Sequence, residues 1–277
     1  SNKTRIIDNS NIFLHNRISD LAFFLGLYFI YSNTNSINFD MIFKSFKTVD
    51  YNYILFNNSI NIFDVIALTL FLSFLLRCRQ FFIFNSTYDF LKLNIPFYIL
   101  MMFALYMPAG LYFIFRFLPL TEINFDFLNI ILIFGYVLIL IFSILLMLSY
   151  NLKKLIVYIV ACQFGILLFV IGIKAYNAAL FYFFTSTTSI VIIGLGFGII
   201  ISKLNNETDI RKMGSLITKT PSIFLFILIG FISLLGMPYF SGFYSNQLIL
   251  ESFLLVDKKY YFTFLIFSSL HAFVISY

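Results

Sequence analysis

The sequence predicts an all-α membrane protein with about eight transmembrane helices, one or two of them broken in mid-membrane. Three observations lead there. Of 277 residues, 61% are hydrophobic and 11% are charged, where a soluble domain carries roughly 25% charged residues. The charges leave long uncharged runs between them. Those runs are apolar at successive positions and do not alternate, so they read as helices and not as barrel strands. Lipid offers the backbone no hydrogen-bond partner, which leaves no third choice.

The elements follow in chain order. The first seventeen residues are largely polar, with Lys3, Arg5, His15 and Arg17, and no signal-peptide pattern is visible. Ile18–Ser32 and Ile60–Leu76 are short candidate spans that hold Asp20 and Asp64, with a polar loop between them. Asp64 reads as a carboxylate at a helix N-terminus, where the dipole favours it. A crossing needs about 20 residues for ~30 Å of hydrocarbon. Leu93–Phe115, Phe127–Leu152, Leu155–Ile173 and Ala175–Ser202 supply 23, 26, 19 and 28 uncharged residues. Thr220–Leu250 has 31, too many for one plain helix, and contains Gly236-Met237-Pro238-Tyr239-Phe240-Ser241-Gly242. Proline removes an amide donor and glycine relaxes the backbone. This predicts one broken helix from about Pro221 to Val256. A second break is expected near Arg77 to Ser86, and Tyr260–Tyr277 closes the set.

Charge and composition add orientation and source. With the N-terminus inside and the segments alternating, twelve of the 18 Lys and Arg fall inside. The six outside are Lys44, Lys47, Arg116, Lys174, Lys258 and Lys259, so the positive-inside rule supports this orientation. The net charge of +6 is dispersed, which excludes a nucleic-acid face. The chain has 40 Phe, 18 Tyr and no Trp. Together with common Ile, Asn and Lys, this points to an A/T-biased genome such as a mitochondrial one. Cys78 and Cys162 lie in no metal or redox spacing and read as small hydrophobes.

Three stretches carry a resemblance. The first is Asn151-Leu152-Lys153-Lys154-Leu155-Ile156-Val157-Tyr158, followed by Gln163-Phe164-Gly165. The second is Asp209-Ile210-Arg211-Lys212-Met213-Gly214-Ser215-Leu216. The third is Leu235-Gly236-Met237-Pro238 running into Ser241-Gly242-Phe243-Tyr244-Ser245, then Leu248-Ile249-Leu250-Glu251. In this order the chain resembles the antiporter-like membrane subunits of respiratory complex I, NADH–ubiquinone oxidoreductase, from about Arg77 to Glu251. The wording is closest to subunit 5. The size suits the later helices of subunit 2, with a separate polypeptide supplying the early ones.

The resemblance implies inverted repeats, each with a broken helix on a water-filled proton path. It divides the chain into 1–59, an N-terminal segment with one membrane helix and a polar loop; 60–150, the later part of a first repeat; and 151–277, a second repeat. Pro238, Gly242 and Phe243 fall on its broken-helix motif. Arg77 falls on the Lys of the first break, 12 residues before Asp89 and 19 before Pro96. An Arg keeps the charge but does not deprotonate, so it suits an electrostatic role. Other positions that usually titrate fall on Met102, Tyr182, Ser186, Ile190 and Asn246. The proton-path candidates are therefore Arg77, Arg79, Tyr182, Ser186, Asn246 and His271. Each also has a structural reading: Arg77 and Arg79 as loop charges, His271 as a hydrogen-bonded helix residue. The hydroxyl run 185–189 either lines water or back-bonds to its own helix.

No phosphate loop, CxxC pair or iron–sulfur spacing occurs in the sequence. The expectation is no cofactor and no metal in this chain, with NADH, FMN, iron–sulfur clusters and ubiquinone on other subunits. Expected partners are other complex I membrane subunits and lipids, in the mitochondrial inner membrane.

Overall fold

The computed structural model describes residues 2–36, 38–48, 52–55, 58–78, 94–121, 125–214 and 220–255. The chain forms two compact units. The first holds residues 1–89 and 104–129, the second 90–103 and 130–277.

In the first unit, α1 runs Asn2–Thr34, well before the first apolar span. Residues 1–17 hold neither Gly nor Pro, so no residue there stops the helix. It ends where Asn35 takes a left-handed φ of 51°, a conformation Asn tolerates. Between the first two spans lie α2 (Phe39–Thr48) and a hairpin of β1 (Asn52–Leu55) and β2 (Asn58–Asn61), antiparallel with Asn52 opposite Asn61. Then α3 covers Ile62–Cys78, with Asp64 in its first turn as the helix dipole favours. It ends within the expected first break, and the rest of that break lies outside the described residues. α1 packs on α3. A Cβ on Gly26 would sit 2.8 Å from Leu70 Cδ2, so the contact is close. Ile30, Ile42, Ile66, Leu70 and Phe117 form a core with Phe23, Phe29, Phe39 and Phe43 against it. Phe71 meets Phe127 edge-on at 5.7 Å. The phenylalanines are packing material.

α4 (Ile95–Leu100) continues through a π-helical turn, Met101–Tyr106, into α5 (Met107–Thr121). Pro108 explains the widened turn. Proline in a helix has no N–H and clashes with the carbonyl four residues back, and a π turn before it opens that space.

The second unit is built around α7 (Leu152–Gly172), in which every residue from Ile156 to Ile171 is buried. A helix apolar on all sides belongs in an interior. Its neighbours are α6 (Phe125–Met147) and α8 (Tyr176–Lys203). Crossing glycines let α6 and α7 touch by their backbones. A Cβ on Gly135 would lie 2.6 Å from the Phe169 nitrogen and 2.7 Å from the Gly165 oxygen. The Gly194-Leu195-Gly196-Phe197-Gly198 run on α8 serves two partners. Gly194 and Gly198 face Ile99 and Pro96 of α4, while Gly196 faces Ile227 on α9 (Pro221–Leu235). Last comes α10 (Ser241–Leu255). Small residues are the usual device for close helix contact in membranes.

Four described helical stretches are long and apolar enough to cross a membrane: Ile95–Phe117, Phe127–Met147, Leu152–Gly172 and Tyr176–Lys203. Asp64–Leu76 and Pro221–Leu235 are shorter apolar helices. The expected last span, 260–277, lies outside the described residues.

Candidate functional site

The predicted broken helix is α9 and α10. Gly236 ends α9 in the left-handed region (φ 74°), and its N–H is shared between the Ile232 and Ser233 carbonyls. The chain turns through Met237–Phe240 and restarts at Ser241. Pro238 is exposed in the turn, Gly242 is buried and Phe243 is half-buried. Gly242 is needed because its Cα rests on the Ser233 backbone. An added Cβ would overlap the Ser233 carbonyl oxygen and lie 2.9 Å from its carbon.

α8 runs antiparallel to α9 and carries the polar groups that hold both halves. Ile193 meets Gly230. One turn on, Ser189 Oγ donates to Ser233 Oγ at 2.9 Å. A further turn along, Thr185 Oγ1 donates to Ser245 Oγ at 2.9 Å. Ser233 and Ser241 share a 3.4 Å contact, and Ser245 Oγ donates to the Gly242 carbonyl at 3.0 Å. One rung thus grips the helix before the break and the other after it. Ser189 is at the midpoint of the 28-residue α8, so the break sits at mid-membrane depth.

The hydroxyl run also back-bonds. Thr185, Ser186, Thr187, Thr188 and Ser189 each donate to a carbonyl three or four residues earlier, at 2.9–3.2 Å. Thr185 and Ser189 have one proton each and two acceptors in reach, so their hydrogen bonds can be drawn in either direction. Tyr182 is buried, and its hydroxyl donates to Gln163 Oε1 on α7. Asn246 is half-buried, with Nδ2 beside the Gly236 turn. Tyr182, Ser186 and Asn246 therefore belong to one region. The rungs that join it, Thr185–Ser245 and Ser189–Ser233, come from residues that motif reading gives no reason to pair.

The remaining candidates are Arg77, Arg79 and His271. Arg77 is in the last turn of α3, in the first unit, and its side chain lies outside the described residues. Arg79 and His271 also lie outside them. Met102 and Ile190 are buried apolar side chains, 3% and 1% exposed. In the first unit, a cavity of about 180 Å³ is lined by Ser19, Asp20, Ser73 and three phenylalanines. Asp20 also pairs with Arg17 at 3.5 Å. A carboxylate at a cavity between apolar helices carries a functional expectation that a lone Asp in a sequence does not. Among the described residues, no group of three His, Cys, Asp or Glu side chains could hold a metal.

The other two motifs meet at a polar end of the second unit. Asn151 caps α7, its Oδ1 accepting from the Lys153 N–H at 3.0 Å. Its Nδ2 donates to Thr208 Oγ1 at 3.1 Å. The Leu152 N–H donates to the Thr208 carbonyl and the Ile210 N–H to the Tyr150 carbonyl, at 2.9 and 3.0 Å. Arg211 holds Asp209 at 2.9 and 3.1 Å and lies 4.5 Å over the Tyr150 ring. Those side-chain hydrogen bonds, with the Arg211 charge, keep the Asp209 carboxyl below its ordinary value.

A bundle of apolar helices, one of them broken and pinned by a neighbour, defines the class as a multi-pass membrane protein with a discontinuous helix. The chain belongs to the NADH:quinone oxidoreductase/Mrp antiporter transmembrane family, whose model matches residues 7–273. It is similar to NADH-ubiquinone oxidoreductase chain 5 of Phytophthora infestans, 32% identical over 239 residues, covering 86% of this chain and 36% of that one. It is also 32% identical over 240 residues to NADH-quinone oxidoreductase subunit L of Rickettsia typhi, covering 87% and 36%. Chain 5 of Arabidopsis thaliana is 28% identical over 238 residues, covering 86% and 36%. The chain thus spans about a third of the length of the curated relatives it matches.

Proposed function

We propose that this chain is part of a chain 5-like membrane-arm subunit of NADH:ubiquinone oxidoreductase in the mitochondrial inner membrane. In this reading it contributes to proton translocation driven by electron transfer elsewhere. NADH, FMN, iron–sulfur clusters and ubiquinone are held by other subunits. The observation that carries the reading is the family match over residues 7–273, together with relatives named as chain 5 or subunit L. The A/T-biased residue usage supports a mitochondrial source. Arg77, Arg79, Tyr182, Ser186, Asn246 and His271 remain the proton-path candidates, with Arg77 as a fixed charge. The rest of the relatives' length is supplied by more of the same polypeptide or by a separate one.

The test is isolation of the chain's complex from native membranes. NADH-oxidising subunits should accompany it, and a complex lacking them sinks the proposal. The same preparation resolves one polypeptide from two.

A second reading is a scaffold that does not itself pump. Met102 and Ile190, buried and apolar at positions that usually titrate, favour it. Protons moved per electron pair discriminate. A drop after Arg77→Ala supports the pumping role, and an unchanged ratio supports the scaffold. Ion exchange that persists without NADH oxidation would instead indicate a cation/proton antiporter component.

A further inference from the structure

The charges of the second unit are gathered at one end. Its described residues hold six Lys and Arg and three Asp and Glu. Five of the cations and two of the carboxylates lie where α6 stops, α7 starts and α8 stops. Lys153 and Lys154 open α7, Lys203 closes α8, and Arg211 and Lys212 follow, with Glu207 and Asp209 among them. Five cations against two carboxylates leave this end at +3, while Lys174 and Glu251 balance elsewhere in the unit.

The fold makes one surface of them. The Asn151–Thr208 side-chain bond and the backbone bonds from Leu152 to Thr208 and from Ile210 to Tyr150 lay residues 207–212 beside the start of α7. Arg211 is held by Asp209 and lies over the Tyr150 ring. Lys212 stands 3.7 Å from Glu207, both exposed, and an exposed pair of that kind is weak. The uncharged runs of α7 and α8 end at Leu155 and Ser202, so the surface stands at the edge of the hydrocarbon, at headgroup depth. Beside it Leu148, Tyr150 and Ile210 are 71%, 49% and 38% exposed. The positive-inside rule accounts for the side of the membrane these cations take. It does not account for a loop bonded down so that they meet beside bare apolar side chains. An acidic protein segment would match the charge alone. An amphiphile with an anionic head matches both charge and apolar flank.

We propose that this end of the second unit binds an anionic phospholipid. The phosphate lies against Lys153, Lys154 and Lys212, and the upper part of the acyl chains against Leu148 and Ile210. The site depends on the charge and depth of this end and not on NADH-linked activity.

The test uses the full chain in its native complex, transferred to phosphatidylcholine vesicles. These contain a trace of phosphatidylglycerol or of phosphatidylcholine with a photoactivatable group high on the acyl chain. After irradiation, phosphatidylglycerol should label the peptides holding Tyr150–Lys154 and Ile210–Lys212 in excess over phosphatidylcholine. A cation near an anionic membrane surface changes affinity about fivefold. Lys153→Gln, Lys154→Gln and Lys212→Gln together should therefore cut that excess by more than about tenfold. Lys153→Arg, Lys154→Arg and Lys212→Arg together should keep it, which separates lost charge from lost fold. Equal labelling by the two lipids overturns the proposal, as does an excess that survives the Gln substitutions. No labelling of either peptide means that protein covers this end, and the proposal fails. Competition by inorganic phosphate would make the ligand a free anion and overturns it too.

Discussion

Gly242→Ala is the sharpest test of the break. An alanine Cβ would lie 2.9 Å from the Ser233 carbonyl carbon and closer still to its oxygen. The carbonyl oxygen is met more closely than the carbon, and carbon and oxygen rest at about 3.3–3.6 Å, so α10 must retreat by roughly 1.5 Å. Both atoms met are backbone, and no rotamer change relieves them. Gly242 also accepts from Ser245, whose hydroxyl bonds Thr185 at 2.9 Å. A retreat of that size carries the rung past hydrogen-bonding range. The one buried hydrogen bond that crosses to α8, Thr185–Ser245, at about 1 kcal/mol, with overpacking of about 1–3 kcal/mol, gives a loss of about 2–4 kcal/mol. That is a large part of a typical stability of about 5–15 kcal/mol. The assay is the thermal midpoint and the assembled fraction of the native complex. Gly214→Ala is the control, because an added Cβ there meets nothing within 4 Å. If Gly242→Ala and Gly214→Ala behave alike, the backbone contact is not holding the break.

Three further outcomes follow. Gly135→Ala drives a Cβ into the Phe169 nitrogen and Gly165 oxygen, and should cost about 1–3 kcal/mol in thermal unfolding; an unchanged midpoint would show the crossing to be loose. Tyr182→Phe leaves the Gln163 amide buried without its partner, at about 1–3 kcal/mol. Adding Gln163→Leu should recover much of that loss, and additive losses in the double variant would refute the pairing. The third outcome concerns pH. Asp209 is held below its ordinary value, chiefly by the Arg211 hydrogen bonds, so its contribution is present above the ordinary carboxylate range and lost as pH falls through the lowered value. Hydrogen exchange at the Leu152 and Ile210 amides should accelerate only in acid. Arg211→Gln should move that onset to higher pH, and an unmoved onset would mean the pair does not hold the loop.

The break was legible in the sequence because its chemistry is local. Gly236, Pro238 and Gly242 each disturb a helix within their own turn. The spans were legible because lipid imposes a length and forbids charge. What could not be read depends on which faces meet. Thr185 pairs with Ser245, and Ser189 with Ser233, only once α8 and α9 are laid antiparallel in one register, and no spacing in the chain encodes that. The alternating roles of Gly194, Gly196 and Gly198 have the same origin. The π turn at Met101–Tyr106 was readable in principle, since Pro108 follows it, but the uncharged run hides where the strain is absorbed. The helical start of α1 was missed because apolar patterning, not the absence of breakers, guides span assignment.

The polar groups at the break also limit what it does. A relay site must hold a proton, and the positions on which the resemblance would place one are Met102, Ile190, Ser186, Tyr182 and Asn246. Two of these are buried hydrocarbon or thioether, and Ser186 spends its proton on its own helix. Thr185, Ser189, Ser233 and Ser245 are all buried, and their hydroxyls can reverse the sense of their hydrogen bonds without gaining charge. Such a ladder grips both halves of a broken helix whichever way its protons point. It therefore suits a mechanical joint better than a charge store. If the chain takes part in pumping, the coupling charge must come from outside this ladder. Arg77 is the first residue to remove, and Asp20, which lines a cavity in the same unit, is the second.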